Sequence, residues 1–311
     1  MNKKLLSVAM AAALFAPAAM ADVTVSGFVL QEFVTDGDDT GASEDGLESH
    51  SDVGVVLTAS EDLGNGMTAF AKIDIGKDDG GTANNDQIVG ISSGFGTIVI
   101  GRMEDFTEGK VAAMASVDSS DALSVEPLSS GTFDVDTGRL EGAMAYVSPN
   151  MGGFQVGVAA YALENGGTAA SDYDSNLDAY DIMLGYSNGG ITVRLSREEV
   201  EDTVAGQEDK TTTALGAEFK TGAFRVVGVY MDQDDDTDTE GWMLGMNYTM
   251  GNNVFGIGLS DEEQGTNERD RWILDFTHNM SKRTKVYATY QADETNNVDD
   301  DRFAIGMKHS F

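Results

Sequence analysis

From Asp22 onward the chain is organised in segments of roughly ten residues in which apolar side chains fall on every second position. Successive side chains of an extended strand point to opposite faces, so period two dictates β-structure with one apolar and one polar row. The pattern is plainest at the C-terminus, where Phe303, Ile305, Met307 and Phe311 share one row and Arg302, Ala304, Gly306, Lys308 and Ser310 the other. It recurs with Trp272, Leu274 and Phe276 opposite Arg271, Asp275 and Thr277. A third case sets Val286, Ala288 and Tyr290 opposite Lys285, Tyr287, Thr289 and Gln291. In a soluble sandwich the apolar row would be a core; in a closed barrel it is the outside. Helical periodicity never takes hold, and no run of 18 apolar residues follows the N-terminus, which excludes helical membrane spans.

The connections favour the barrel. Short Gly- and Asn-bearing turns stand at 63–66, 93–96, 149–153, 188–190, 221–223, 251–253 and 281–283. Longer acidic stretches alternate with them at 36–49, 77–86, 104–138, 165–177, 202–209, 232–239, 262–267 and 293–300. Seven turns and eight loops join sixteen strands, with tight connections on one side and long ones on the other, as in an outer-membrane barrel. An even strand number puts both termini on the periplasmic side, where the first and last strands can pair. Pro127 and Pro149 fall in connections, so proline removes no donor from any predicted ladder.

The N-terminus carries Lys3 and Lys4, an apolar stretch from Leu5 to Phe15, and Ala19-Met20-Ala21. This reads as a secretory leader, residues 1–21, cleaved before one barrel domain, residues 22–311. With no cysteine, an exported chain of this kind cannot be a disulfide-stapled scaffold. The formal charge is −34, and loss of Lys3 and Lys4 takes it to −36. Such a field repels nucleic acid and attracts cations.

Ordered local motifs point to a family. Val23-Thr24-Val25-Ser26-Gly27, Ser60-Glu61-Asp62-Leu63-Gly64-Asn65-Gly66, Gly94 to Arg102, Arg139 to Phe154, Ser281 to Tyr290 and the terminal Phe311 together resemble the Gram-negative trimeric porins of neisserial and Burkholderia type. The resemblance covers the whole mature chain. It implies an all-β transmembrane antiparallel barrel of sixteen strands with the third outer loop folded into the lumen, a homotrimer in outer-membrane lipid and lipopolysaccharide, and recognition of Phe311 by the barrel-assembly machinery. It also implies that acids on the third loop face wall arginines across a constriction.

The third loop, 104–138, is the longest, and loops of that length are usually functional. It carries Asp105, Glu108, Asp118, Asp121 and Glu126 among its acids, against the single Lys110. The resemblance puts Arg102 and Arg139 at two wall positions. Alternation points Arg139 and Glu141 inward, whereas Arg102 shares a row with Ile98 and Ile100 and needs a bulge to turn inward. A rim position, with the guanidinium at the headgroups, is the alternative for either arginine. Asp52 stands where the family has another arginine, in the row of Gly54, Thr58 and Ser60. These residues are the expected pore lining, and rings of carboxylates favour cations. The expected function is therefore passive, cation-preferring diffusion of small hydrophilic solutes, with no cofactor.

Three rivals carry less. A substrate-specific channel would line its path with aromatics, yet the third loop offers only Phe106 and Phe133. A barrel hydrolase finds Gly90-Ile91-Ser92-Ser93-Gly94, but that motif requires a strand-turn-helix elbow and here enters a β-turn. No catalytic role is expected of His50, His278 or His309. An EF-hand at 232–240 lacks the required glycine, leaving diffuse Ca²⁺ or Mg²⁺ association at acidic outer loops.

Overall fold

The computed structural model describes residues 22–35, 46–78, 81–126, 139–162, 179–201, 209–235 and 237–311. Among them sixteen antiparallel strands form one closed barrel in which sequence neighbours pair and the first strand pairs with the last. They are β1 (Asp22–Thr35), β2 (Leu47–Gly64), β3 (Met67–Asp78), β4 (Gly81–Ser93), β5 (Gly96–Glu104), β6 (Arg139–Val147), β7 (Phe154–Tyr161) and β8 (Ala179–Asn188). The second half comprises β9 (Ile191–Val200), β10 (Lys210–Thr221), β11 (Phe224–Asp234), β12 (Thr239–Met250), β13 (Asn253–Gln264), β14 (Asn267–Asn279), β15 (Thr284–Thr295) and β16 (Val298–Ser310). Closure runs through Phe311: Gly27 N–H donates to Phe311 O at 3.1 Å and Phe311 N–H to Gly27 O at 2.9 Å. The leader read at 1–21 lies outside the described residues, as do 127–138, 163–178 and most of 202–209.

Alternation fixes which row faces lipid. On β14, Trp272, Leu274 and Phe276 are exposed while Arg271, Ile273, Asp275 and Thr277 are buried. On β16, Phe303, Ile305 and Met307 are exposed and Ala304 is buried. The polar row therefore points into the barrel, the arrangement that lets every backbone group pair within the sheet while apolar side chains meet hydrocarbon.

Three outer connections differ from the sequence reading. Asp78 pairs with Gly81, Gln264 with Asn267 and Thr295 with Val298, so stretches expected as loops are continuations of the strands. Beyond the membrane both faces of a hairpin meet water, so an acidic, non-alternating sequence is compatible with a ladder there. Asn296 and Asn297, with φ of 53° and 63°, supply the positive-φ pair a two-residue turn requires. Arg269 stitches this acidic extension, its Nε 2.9 Å from Asp293 Oδ2 and its Nη1 3.8 Å from Glu262.

Aromatic residues ring the outside unevenly. Tilted pairs join Phe154 to Tyr186, Phe224 to Tyr248, Phe255 to Phe276 and Trp272 to Tyr290, all on β7 to β15. Across β1 to β5 the exposed large hydrophobics are mostly Val, Ile and Leu, with Phe33 and the turn residue Phe95 the aromatic exceptions. In the same sector the outward rows carry Gln31, which donates to Ser51 Oγ, and Gln87.

Candidate functional site

The third outer connection leaves β5 and turns into the barrel. A one-turn π-helix at Thr107–Val111 and a 3-10 turn at Ala112–Met114 carry it along the inner wall. Phe106 N–H donates to the Asp181 carboxylate on β8, and Thr107 Oγ1 to Ser196 Oγ on β9 at 2.9 Å. The chain then passes β10 to β15 and reaches β1 and β2. Apolar contacts drive this docking: Val111, Leu123 and Val125 are fully buried, as is Phe106. Each such side chain removed from water contributes about 1.5–3 kcal/mol. Glycines on inward rows make the room. A Cβ at Gly216 would come within 2.8 Å of Met114 Sδ, and one at Gly258 within 2.5 Å of Val125 Cγ2.

Polar side chains of the wall satisfy the loop's main chain, whose carbonyls would otherwise be desolvated without partners. Arg194 donates to Lys110 O at 2.7 Å. Arg225 donates to Met114 O and Ser116 O, both at 2.6 Å, and Asn247 to Val117 O at 2.7 Å. Arg271 donates to Ser124 O at 2.9 Å and Glu126 O at 2.7 Å while pairing with Glu262. At the tip the polarity reverses. Glu32 on β1 accepts from Asp121 N–H at 3.1 Å, Ala122 N–H at 2.8 Å and Ser120 Oγ at 2.8 Å, and from the Tyr287 hydroxyl at 2.9 Å.

The inner wall is thereby divided. Described loop contacts run from Phe106 against β6 and β7 round to β1 and end at His50 of β2, leaving the inward rows of β3 and β4 uncovered by residues 105–126. The open passage lies between that bare wall and the loop. Inward rows of β2 to β4 bring Asp52, Lys72, Asp74 and Asp86 to it. Lys72 Nζ is 2.7 Å from Asp86 and 3.4 Å from Asp74.

The expected lining residues part company here. Asp52 stands opposite Leu30 on the inward row, within electrostatic reach of Asp121, Lys308 and His50. Asp121 occupies the loop tip, its Oδ2 2.8 Å from His50 Nε2. Asp118, on the wall side of the loop, lines a cavity of about 440 Å³ shared with Asp275 and Lys285. Burial pushes its carboxyl up to about 8; Asp275 and Glu126 add to the shift and Lys285 opposes it. Asp105 is a correction: it is buried and turned back on its own loop, its Oδ1 accepting Glu108 N–H at 2.7 Å, so it does not line the passage. Glu108 and Glu126 are half-buried against the wall.

Arg102 is a second correction. A register irregularity exists beside it, but the extra residue is on β6, where Gly142 has φ 64°, and Arg102 stays opposite Gln87 in the outward row of Val89 and Ile91. The side chains of Arg139 and Glu141 lie outside the described residues; the main chain of Arg139 pairs with Glu104. Three arginines the sequence reading did not place in the lining, Arg194, Arg225 and Arg271, lie under the loop and bind its carbonyls.

Lys72, Asp74, Asp86 and Glu32 were not singled out from the sequence, and His50 was read there only as lacking a catalytic role. Alternation assigns each a row, but only knowledge of where the loop lies separates covered from open wall. Among the described residues no group of three or more His, Asp or Glu is placed to hold a metal ion.

A family model described as Gram-negative porin matches residues 7–298. The chain is 28% identical to Outer membrane porin protein 32 of Delftia acidovorans across 92% of its own length and 88% of that protein's. It is 25% identical to the Major outer membrane protein P.IB of Neisseria gonorrhoeae across 92% of each. Among solved structures it resembles the Anion-selective porin from Comamonas acidovorans, with a TM-score of 0.78 at 20% identity over 94% of this chain and 100% of that one.

Proposed function

The chain belongs to the Gram-negative porin family and is an outer-membrane channel protein, and on that premise we propose that it is a homotrimeric general-diffusion porin that favours cations. The observation that carries the ion preference is the charge of the open wall. One lysine, Lys72, is set there among three aspartates, Asp52, Asp74 and Asp86, a sum of −2, and Asp121 on the loop tip and Lys308 on β16, both within reach of Asp52, leave that sum unchanged. Carboxylates at this density lower the energy of a passing cation and raise that of an anion. The anion preference named for the Comamonas structure belongs to that protein; at 20% identity its wall charges do not carry over.

General diffusion is supported by the loop's aromatics. Phe106 is buried against the wall, so residues 105–126 present no aromatic surface to a sliding solute. The trimer is supported by the bare sector of β1 to β5. Aromatic girdles mark lipid contact, and a sector with few aromatics that carries Gln31, Ser51 and Gln87 outward suits a protein neighbour better than hydrocarbon. The terminal Phe311, exposed and pinned by its main chain, is available to the assembly machinery. Acidic outer loops attract Ca²⁺ and Mg²⁺ diffusely.

The test is the reversal potential of the purified protein in planar bilayers across a dilute KCl gradient. A potential of cation-preferring sign is expected; an anion-preferring sign overturns the proposal. Size-exclusion chromatography with light scattering in detergent should give three chains per particle.

A further inference from the structure

We infer that Lys72 is the charge that decides the sign of ion preference in this channel, and that Asp74 and Asp86 are placed to mask it. This rests on the porin reading of the same passage. Among the described residues, Lys72 is the one Lys or Arg on the inward rows of β2 to β5; Lys308, on the inward row of β16, lies beside Asp52 rather than beside this triad. The Lys72 ammonium lies 2.7 Å from Asp86 and 3.4 Å from Asp74 and is partly exposed to the lumen.

The enclosure is built by a bulge. Ile73 pairs with Gln87 and Ile75 with Asn84, so two residues of β4, Asn85 and Asp86, stand against Asp74 alone. The extra residue puts two consecutive side chains on the lumen side, which regular pleating forbids. Asp86 takes the lysine, and Asn85 Nδ2 reaches Asp74 Oδ1 at 3.5 Å. Bulges that re-aim side chains recur beside functional sites. An ion some angstroms away, within a Debye length of about 8 Å at physiological salt, responds to the sum of three charges at such short separations. One positive and two negative charges make that sum −1. Without the aspartates the same wall would present +1.

Planar-bilayer permeability ratios in a dilute KCl gradient test this with wild type, D74N/D86N and K72Q. The double variant is expected to shift the K⁺ to Cl⁻ ratio toward chloride by about threefold or more, and K72Q to shift it toward potassium. Both shifts should shrink at 1 M salt. A ratio unchanged from wild type in either variant, in protein retaining the heat-modifiable gel mobility of a folded barrel, overturns the inference. If D74N/D86N does not fold, K72Q decides alone. Should wild type prefer chloride while the variants still move the ratio in these directions, the masking stands and the cation preference proposed above fails.

Discussion

The carboxylate of Glu32 accepts the main-chain N–H of Ala122 at 2.8 Å, so a residue of the first strand fixes the tip of a loop ninety positions further along the chain. Asp121 N–H and Ser120 Oγ share the same acceptor, so this one carboxylate gathers three of the tip's donors, with His50 on the Asp121 side chain beside it. E32A should release the tip. Single-channel recordings are expected to show larger, noisier conductance with brief closures, and loss of this buried acceptor should cost about 1–3 kcal/mol locally. Recordings indistinguishable from wild type would show that the tip is held by something else.

Arg271 and Glu262, both buried, form an ion pair that also carries two loop carbonyls. R271M removes the short ion-pair partner of the buried Glu262 carboxylate and should destabilise the barrel by about 3–5 kcal/mol, seen as a lower midpoint for loss of the folded gel species in urea. R271M/E262M should recover much of that loss, since removing both charges leaves neither stranded.

Gly258 faces Val125 so closely that a Cβ would stand 2.5 Å from its Cγ2. G258V should push the loop toward the open wall, reducing conductance while the barrel still forms. An unchanged conductance would place the loop elsewhere in solution.

Asp118 titrates against the docked loop. Its carboxyl is raised from 3.8 to about 8, so the docked state holds its proton more tightly than the free segment does. Protonation therefore favours docking, fully below about 4; that contribution is lost as pH rises through 8. Hydrogen exchange across residues 116–126 should accelerate between pH 5 and 8 beyond the intrinsic base-catalysed rate, and D118N should abolish the excess.

D52R places a cation on the inward row opposite Leu30, beside the existing Lys308 and Asp121. Reversal potentials should move toward anion preference at low salt and converge with wild type near 1 M, where the Debye length is about 3 Å. A shift that persists at high salt would argue for a steric change of the passage instead.

Strand number, closure and the facing of each row were legible because period two is a local signal: the rows read at Trp272 and Phe303 are those the barrel shows. The ends of the outer hairpins were not, since above the membrane neither face needs to be apolar and the pattern disappears where strands β13 to β16 continue. Among site residues, Asp52 and Asp121 could be placed by parity and loop membership. Asp105 could not, because a short turn reuses its carboxylate on its own backbone. The grip of Arg225 and Arg271 on the loop was equally hidden. Their inward parity is readable, but whether an inward arginine meets solvent or a carbonyl depends on which part of the lumen the loop occupies.

Because Gly27 and Phe311 complete each other's hydrogen bonds, the ring has no finished edge until Phe311 has been made and brought back to Gly27. A product that stops short of Phe311 carries open amides and carbonyls on both flanks, ready to join a stranger's sheet. Such a chain has to be shielded in transit and zipped in a single event, and the loop that narrows the tunnel can settle only once there is an interior to settle into.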